Sequence, residues 1–281
     1  MKRLVIAVTA LLGLDVQSRA QSFQPVVLVN AACGSGPGQF NFDPDNAPSG
    51  GLAIDSNENI FIIDDFNNRV QHFDEKGNYL GAIAFPPVIP PTAAEKQRNP
   101  DIPERPTFVQ DVKFVNGVLY ALQQRCVNGY VDHGCRVGYL LRAQGNNFVN
   151  ADQDKDAVHI HLVFTAKYIT AQFDRNLRAA YTMLGVKPED IYKKFLLGDK
   201  CGVSRNCVIW QIFIDKKNDA WVLSSEGLQI FNTAGGLLYD NKVGSNDDAL
   251  SKQGNLYRLH YWGPEEGKSC VQVEKYSLFG K

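Results

Sequence analysis

The chain has 281 residues, 44% of them hydrophobic, 11% aromatic and 21% charged, with Lys+Arg 29 against Asp+Glu 30. That composition excludes a disordered polymer, a collagen and a coiled coil, and the balanced charge excludes the concentrated positive field that nucleic acid or an anionic membrane surface requires. The length suits one large domain or two small ones, at roughly 100 to 200 residues each.

Residues 1–20 combine a basic start (Lys2, Arg3), an apolar run over 4–14 and small residues at Ser18 and Ala20. This is the pattern of a secretory signal peptide cleaved after Ala20. The run is too short to cross a hydrocarbon layer of about 30 Å, and no later segment comes close, so no membrane span is expected. Without Lys2, Arg3, Arg19 and Asp15, the basic residues number 26 against 29 acidic, a net charge of −3. The mature chain, 21–281, is expected to be a single domain outside the cell or in the periplasm, and a monomer.

All six cysteines lie in that mature part, which in an oxidising compartment predicts disulfides. Loop-closure entropy favours the short pairings Cys126–Cys135 and Cys201–Cys207, which leaves Cys33 for Cys270. Zinc is the competing reading, but there is no C-x-x-C and no Cys/His pair at knuckle spacing.

In chain order, 25–30 reads as a strand with no hairpin partner nearby, followed by an oxygen-rich loop containing Asp43, Asp45 and Asn46. Residues 51–85 then hold four strands separated by Asp/Asn/Gly turns: Leu52-Ala53-Ile54, Ile60-Phe61-Ile62-Ile63, Arg69-Val70-Gln71-His72-Phe73 and 79–85. The segment 86–107 carries seven prolines; because proline removes ladder donors, it is expected to be an insertion loop, with Arg98 and Arg105 as candidate ligand contacts. A fainter copy of the strand unit occupies 112–122.

Asp152-Gln153-Asp154-Lys155-Asp156 sets three carboxylates at alternate positions, the opening of a calcium loop, although Ala157 stands where the sharp turn wants glycine. Calcium is the one cofactor this suggests; a solvated acidic loop is the plainer reading. His159 and His161 would share one face of a strand over 158–163, as metal ligands or as half-exposed surface residues. Further copies fall at 169–183, 210–239 and 255–262, with a helix or strand over 187–197 and a final strand in 270–279. Trp210, Trp221 and Trp262 are expected to fill the core between sheets.

The residues Gly34-Ser35-Gly36-Pro37-Gly38-Gln39-Phe40, Gly51-Leu52-Ala53-Ile54-Asp55, Asn59-Ile60-Phe61-Ile62-Ile63-Asp64, Asn68-Arg69-Val70-Gln71-His72-Phe73-Asp74 and Gly77-Asn78 together resemble one NHL repeat. Glu58 departs from it where the family usually has glycine, as do the extra residues 43–49. The resemblance implies an all-β fold, an NHL-type β-propeller. Six blades are the family norm, and five units are counted here.

A ring leaves no unpaired edge strands. The strand at 25–30 is therefore expected to complete the last blade, with Cys33–Cys270 stapling it. Arg69, beside Asp64 and Asp65, falls at a recurring structural position of the repeat, which implies an ion pair between strands. No nucleophile-elbow, zinc-protease or phosphate-loop motif is present, and no catalytic residue is assigned. The expected function is a binding platform for a protein or small-molecule ligand on one loop face. The alternative is a calcium- or zinc-assisted hydrolase or lyase with its site at the channel mouth, in the manner of gluconolactonases or peptidyl-hydroxyglycine lyases.

Overall fold

The computed structural model describes residues 25–41, 51–87, 90–98, 100, 107–126, 135–157, 160, 209–214, 220–224, 227–231, 237–241, 248–251, 253–261 and 270–277. The first sheet is an antiparallel meander of β2 (Leu52–Ile54), β3 (Ile60–Asp64), β4 (Arg69–Phe73) and β5 (Tyr79–Ala84). The second is β6 (Thr107–Val115), β7 (Val118–Cys126), β8 (Cys135–Gln144) and β9 (Asn147–Asn150), which meets the first in a single ladder pair, Ala84 with Asn147. A later sheet holds β10 (Ile209–Ile214), β11 (Ala220–Ser224), β12 (Gly227–Phe231) and β13 (Leu237–Asn241). The last comprises β14 (Asp248–Leu250), β15 (Asn255–Tyr261), β16 (Val271–Ser277) and, outermost, β1 (Val26–Ala31).

The first strand of each meander lies innermost: β2 packs on both β6 and β14, and β10 packs on β14. The sheets therefore radiate from a shared axis, and the fold is a β-propeller. The expected closure is present, because β1 pairs antiparallel with β16 from Val26 opposite Lys275 to Ala31 opposite Val271. Four blades lie among the described residues. The unit expected at 169–183 and the element at 187–197 lie outside them.

Radial packing explains the sequence of β3, in which every residue is buried. Successive side chains on a strand point to opposite faces. Ile60 and Ile62 join Val29, Tyr257, Val271 and Val273 in the core between first and last sheets. Phe61 and Ile63 join Val109, Val112, Ala121 and Leu141 between the first and second. A sheet covered on both faces needs a continuous apolar run, where a half-exposed one would alternate.

Two expectations need correcting. The insertion 86–107 is not all loop, for α1 (Ala93–Arg98) forms inside it. Thr92 and Glu95 cap it reciprocally: Glu95 N–H donates to Thr92 Oγ1 at 3.2 Å, and Thr92 N–H donates to Glu95 Oε2 at 2.7 Å. The strand expected at 158–163 is instead helical at Ile160, its one described residue, as is Ala157 before it, with Ile160 N–H donating to Asp156 O at 3.0 Å. Ile160 and Ala157 thereby pack beside Tyr120, Leu122 and Leu140 of the second sheet, a contact that sequence periodicity does not reveal. No helix among the described residues is long and apolar enough to cross a membrane.

Candidate functional site

The inner strands give the molecule two ends: a leading end, where β2, β6 and β14 begin, and a trailing end, where they finish. The chain's long connections gather at the leading end. The link after β1 and the link into β16 are tied there by the disulfide Cys33–Cys270, with Cα atoms 4.9 Å apart, and Cys270 N–H donates to Ala31 O at 2.7 Å. The link from β5 to β6 leaves beside the β3–β4 turn, where Asn68 Nδ2 donates to Phe85 O and Pro86 O at 3.0 and 3.1 Å. The connection from β7 to β8 belongs to this end as well. It is flanked by Cys126 and Cys135, which sit directly opposite one another in the ladder, the register that a cross-strand bond between them requires.

At this end, where β3 finishes, lies a buried polar network centred on Asp64, whose side chain is 0% exposed. Its carboxylate accepts from Asn41 N–H at 2.9 Å, Asn67 Nδ2 at 2.9 Å, Gln71 Nε2 at 2.9 Å and Arg69 Nε at 2.7 Å. Burial pushes the Asp64 carboxyl above its usual range, against the pull of these donors. The same side chains hold the 34–39 loop: Arg69 Nη2 donates to Gly36 O and Gln39 O, Asn67 Nδ2 to Gly34 O, and Gly38 N–H to Gln71 Oε1. Arg69 therefore pairs with Asp64 as the repeat implies and shapes a loop. Asp65 does different work, accepting Val109 N–H of β6 at 3.0 Å and so tying the second sheet to the first.

Other charges on the inner strands and the last sheet are also matched. Asp248 at the start of β14 receives a two-pronged contact from Arg258, Nε to Oδ1 and Nη2 to Oδ2, both at 3.0 Å. The guanidinium lies 5.4 Å from the Tyr276 ring centroid. Asp111, beside a bulge in β6, lies 3.4 Å from Lys113 Nζ. Glu274 accepts Tyr276 Oη–H at 2.7 Å and meets His260 Nε2 at 3.2 Å; burial raises its carboxyl, yet Tyr276 and His260 together hold it below the ordinary value.

Of the residues singled out in the sequence, Asp152 accepts Leu140 N–H at 2.8 Å and Asn150 Nδ2 at 3.0 Å, and Asp154 lies 3.3 Å from Arg142 Nε. Two of the three carboxylates are thus engaged by the chain's own donors, and Asp156 is exposed. No three His, Cys, Asp or Glu side chains among the described residues converge as metal ligands. Arg98 ends α1, its Nε donating to Ala94 O at 3.3 Å. Asp43, Asp45, Arg105, His159, His161, Cys201 and Cys207 lie outside the described residues.

Sequence reasoning missed the role of Glu58, at the trailing end. Its carboxylate accepts Ser251 Oγ at 2.8 Å and Asn255 Nδ2, and meets Lys275 Nζ at 2.6 Å. The buried Tyr257 ring lies under the same ammonium, 5.5 Å from it, and burial followed by the Glu58 charge pushes its hydroxyl pKa up. The one available signal was the glutamate standing where the repeat expects glycine.

No family model matches the chain, and no curated protein does. Among solved structures it is similar to a luciferin-regenerating enzyme at 13% identity and TM-score 0.36, covering 91% of this chain and 96% of that one. A gluconolactonase from Xanthomonas campestris gives 10% identity and TM-score 0.28, over 80% and 71% of the two chains. A PQQ-bound aldose sugar dehydrogenase from Streptomyces coelicolor gives 12% identity and TM-score 0.33, over 90% and 98%. The chain's own strand pairing and radial packing, rather than these likenesses, identify it as a β-propeller.

Proposed function

We propose that the protein is a secreted or periplasmic NHL-type propeller serving as a non-catalytic platform, which holds a protein or small-molecule ligand on the connections of its leading end. One observation carries this reading: the two ends are unequal. Tight turns such as 55–59, 116–117 and 251–255 join the inner strands to their neighbours at the trailing end, whereas the links through 86–106, 127–134 and 262–269 belong to the leading end. Variable loops on a rigid scaffold are where recognition concentrates. The NHL assignment is supported by the Asp64, Asn67 and Arg69 network, built from residues in and beside the repeat-like motif. Secretion is supported by the Cys33–Cys270 bond, since disulfides persist in oxidising compartments.

The test replaces residues 88–105 with a short Gly/Ser linker and measures binding to cell-surface material by the purified mature protein. The platform reading expects binding to fall at least tenfold while far-UV circular dichroism and the melting temperature stay unchanged. Undiminished binding would overturn it. So would stoichiometric calcium or zinc whose removal abolishes a hydrolytic activity.

A further inference from the structure

The first and last sheets meet along a seam, and at its trailing end an amine and an amide from the last sheet share one carboxylate from the first. Glu58, in the turn joining β2 to β3, reaches across to both. Its Oε2 meets Lys275 Nζ of β16 at 2.6 Å, and its Oε1 accepts Asn255 Nδ2 of β15. Ser251 Oγ donates to the same Oε1 at 2.8 Å and accepts Asn255 N–H at 3.2 Å, which fixes the residue that carries the amide.

Lys275 and Asn255 stand on one face of the last sheet. Lys275 is directly opposite Tyr257, and Asn255 precedes Tyr257 by two positions on β15, so the two side chains are diagonal neighbours on adjacent strands. Little water reaches them: the side chains of Glu58 and Lys275 are 13% and 19% exposed, and the Tyr257 ring centroid lies 5.5 Å from Nζ. One carboxyl therefore stands between a nucleophilic nitrogen and a potential leaving nitrogen, with an oxygen on each. That is the position a proton shuttle needs.

We propose that Lys275 and Asn255 become joined by an isopeptide bond, with Glu58 as the catalytic residue that moves the protons. Lys275 Nζ gives one proton to Glu58 and attacks Asn255 Cγ. A second proton passes from Nζ to Nδ2 through the same carboxyl, the Cγ–Nδ2 bond breaks, and the nitrogen leaves as ammonium, which restores the Glu58 carboxylate. One amide is exchanged for another, no electrons change hands, and loss of ammonium makes the step one-way. Holding both reactants in fixed geometry replaces a chance encounter. Burial, the largest influence on Glu58, favours its protonated form, but hydrogen bonds from Lys275, Asn255 and Ser251 keep the carboxylate ionised at rest. The freshly folded chain thus holds the ion pair, and the bond accumulates slowly afterwards. It gives the last sheet a covalent rung between β15 and β16.

The test is mass spectrometry of the purified mature chain, fresh and after a week at neutral pH. Wild type is expected to become lighter by one ammonia, in a fraction that grows with time. Cyclisation of an N-terminal Gln21 would release the same mass, so trypsin locates the loss after the disulfides are reduced. Peptide 253–258 should appear joined to 269–281, with no cleavage after Lys275. Glu58→Gln, which keeps the length of the side chain but cannot take the proton, should lower the yield of joined peptide at least tenfold, and Lys275→Arg should abolish it, with circular dichroism confirming that both variants fold. Wild type alone can sink the proposal: peptide 253–258 remaining separate throughout would overturn it, as would ammonia lost from 253–258 as a cyclic imide without joining. Joining undiminished in Glu58→Gln would overturn the role of Glu58.

Discussion

The first sheet makes the same turn twice and uses it in opposite ways. In 55–59, Asp55 N–H donates to Asn59 O at 3.1 Å while the Asp55 carboxylate accepts the N–H groups of Asn57 and Asn59, both at 2.8 Å. In 74–78 the pattern repeats, with Asp74 accepting from Lys76 and Asn78 at 2.9 and 2.8 Å. The fourth residue is left-handed in both, with φ +66° at Glu58 and +86° at Gly77. Both residues abut the last sheet. Gly77 does so by lacking a side chain, since a Cβ there would fall 1.9 Å from the Leu28 carbonyl oxygen of β1. Glu58 does so by having one, which reaches β15, β16 and the turn joining β14 to β15. A shared backbone device thus leaves the fourth position free to be chosen by whatever lies across the seam.

The strongest way to break this comparison is Gly77→Ala. Overpacking against backbone and left-handed strain together should cost about 2 to 4 kcal/mol. At about 2 to 4 °C per kcal/mol for a domain of this size, calorimetry should register the loss clearly. Gly145→Ala is the control, with φ +60° but nothing within 4 Å of its Cβ, and should cost only about 1 kcal/mol. Equal losses at the two sites would mean that Leu28 yields and the close approach is incidental.

Glu58 offers a smaller effect with a telling sign. Glu58→Ala removes the partner of Lys275, whose side chain is only 19% exposed, and keeps the backbone strain. A loss of about 2 kcal/mol is expected, below the range for fully buried pairs. Glu58→Gly should be the milder variant by about 1 kcal/mol, because it sheds the strain. Denaturant titration in which alanine matched or outperformed glycine would contradict the left-handed assignment.

Acidification should produce the smallest effect. Burial pushes the Glu58 carboxyl up, but hydrogen bonds from Lys275, Asn255 and Ser251, with the Lys275 charge, outweigh it and hold it below its ordinary 4.5. A carboxyl depressed in the folded state adds stability that is fully present above its unfolded value and is lost as pH falls through the folded one. Stability measured from pH 6 downward should therefore decline less in Glu58→Gln than in wild type. Parallel curves would assign the acid dependence to other carboxylates.

Much of this architecture is legible in the chain because it is written in local patterns. Apolar β3 and the Asp-to-Asn turns announce a meander covered on both faces, and Cys33 and Cys270 announce the staple. Strands β8 and β9 are less visible, because Arg136, Arg142 and the Asn-rich 146–150 dilute the apolar signal. The cap on α1 was present as Thr92 and Glu95, but the surrounding prolines outweighed it. The helical placement of Ala157 and Ile160 depends on a pocket beside Tyr120 and Leu140, which no local pattern encodes. At the candidate site, the sequence marks which segments are long but not which end of the strands they share, since that follows only from pairing. Glu58 could be noticed as an exception, yet its partners lie 193 to 217 positions away.

Because Val26 stands opposite Lys275, the chain enters and leaves the toroid at one place. Sheet order along the polypeptide is then a convention of where synthesis begins, since each sheet contacts its neighbours in space rather than in genetic order. A circularly permuted chain, with 25 linked to 278 and new termini in the 145–146 turn, would describe the same molecule. The strand that spans the old termini would become an ordinary hairpin.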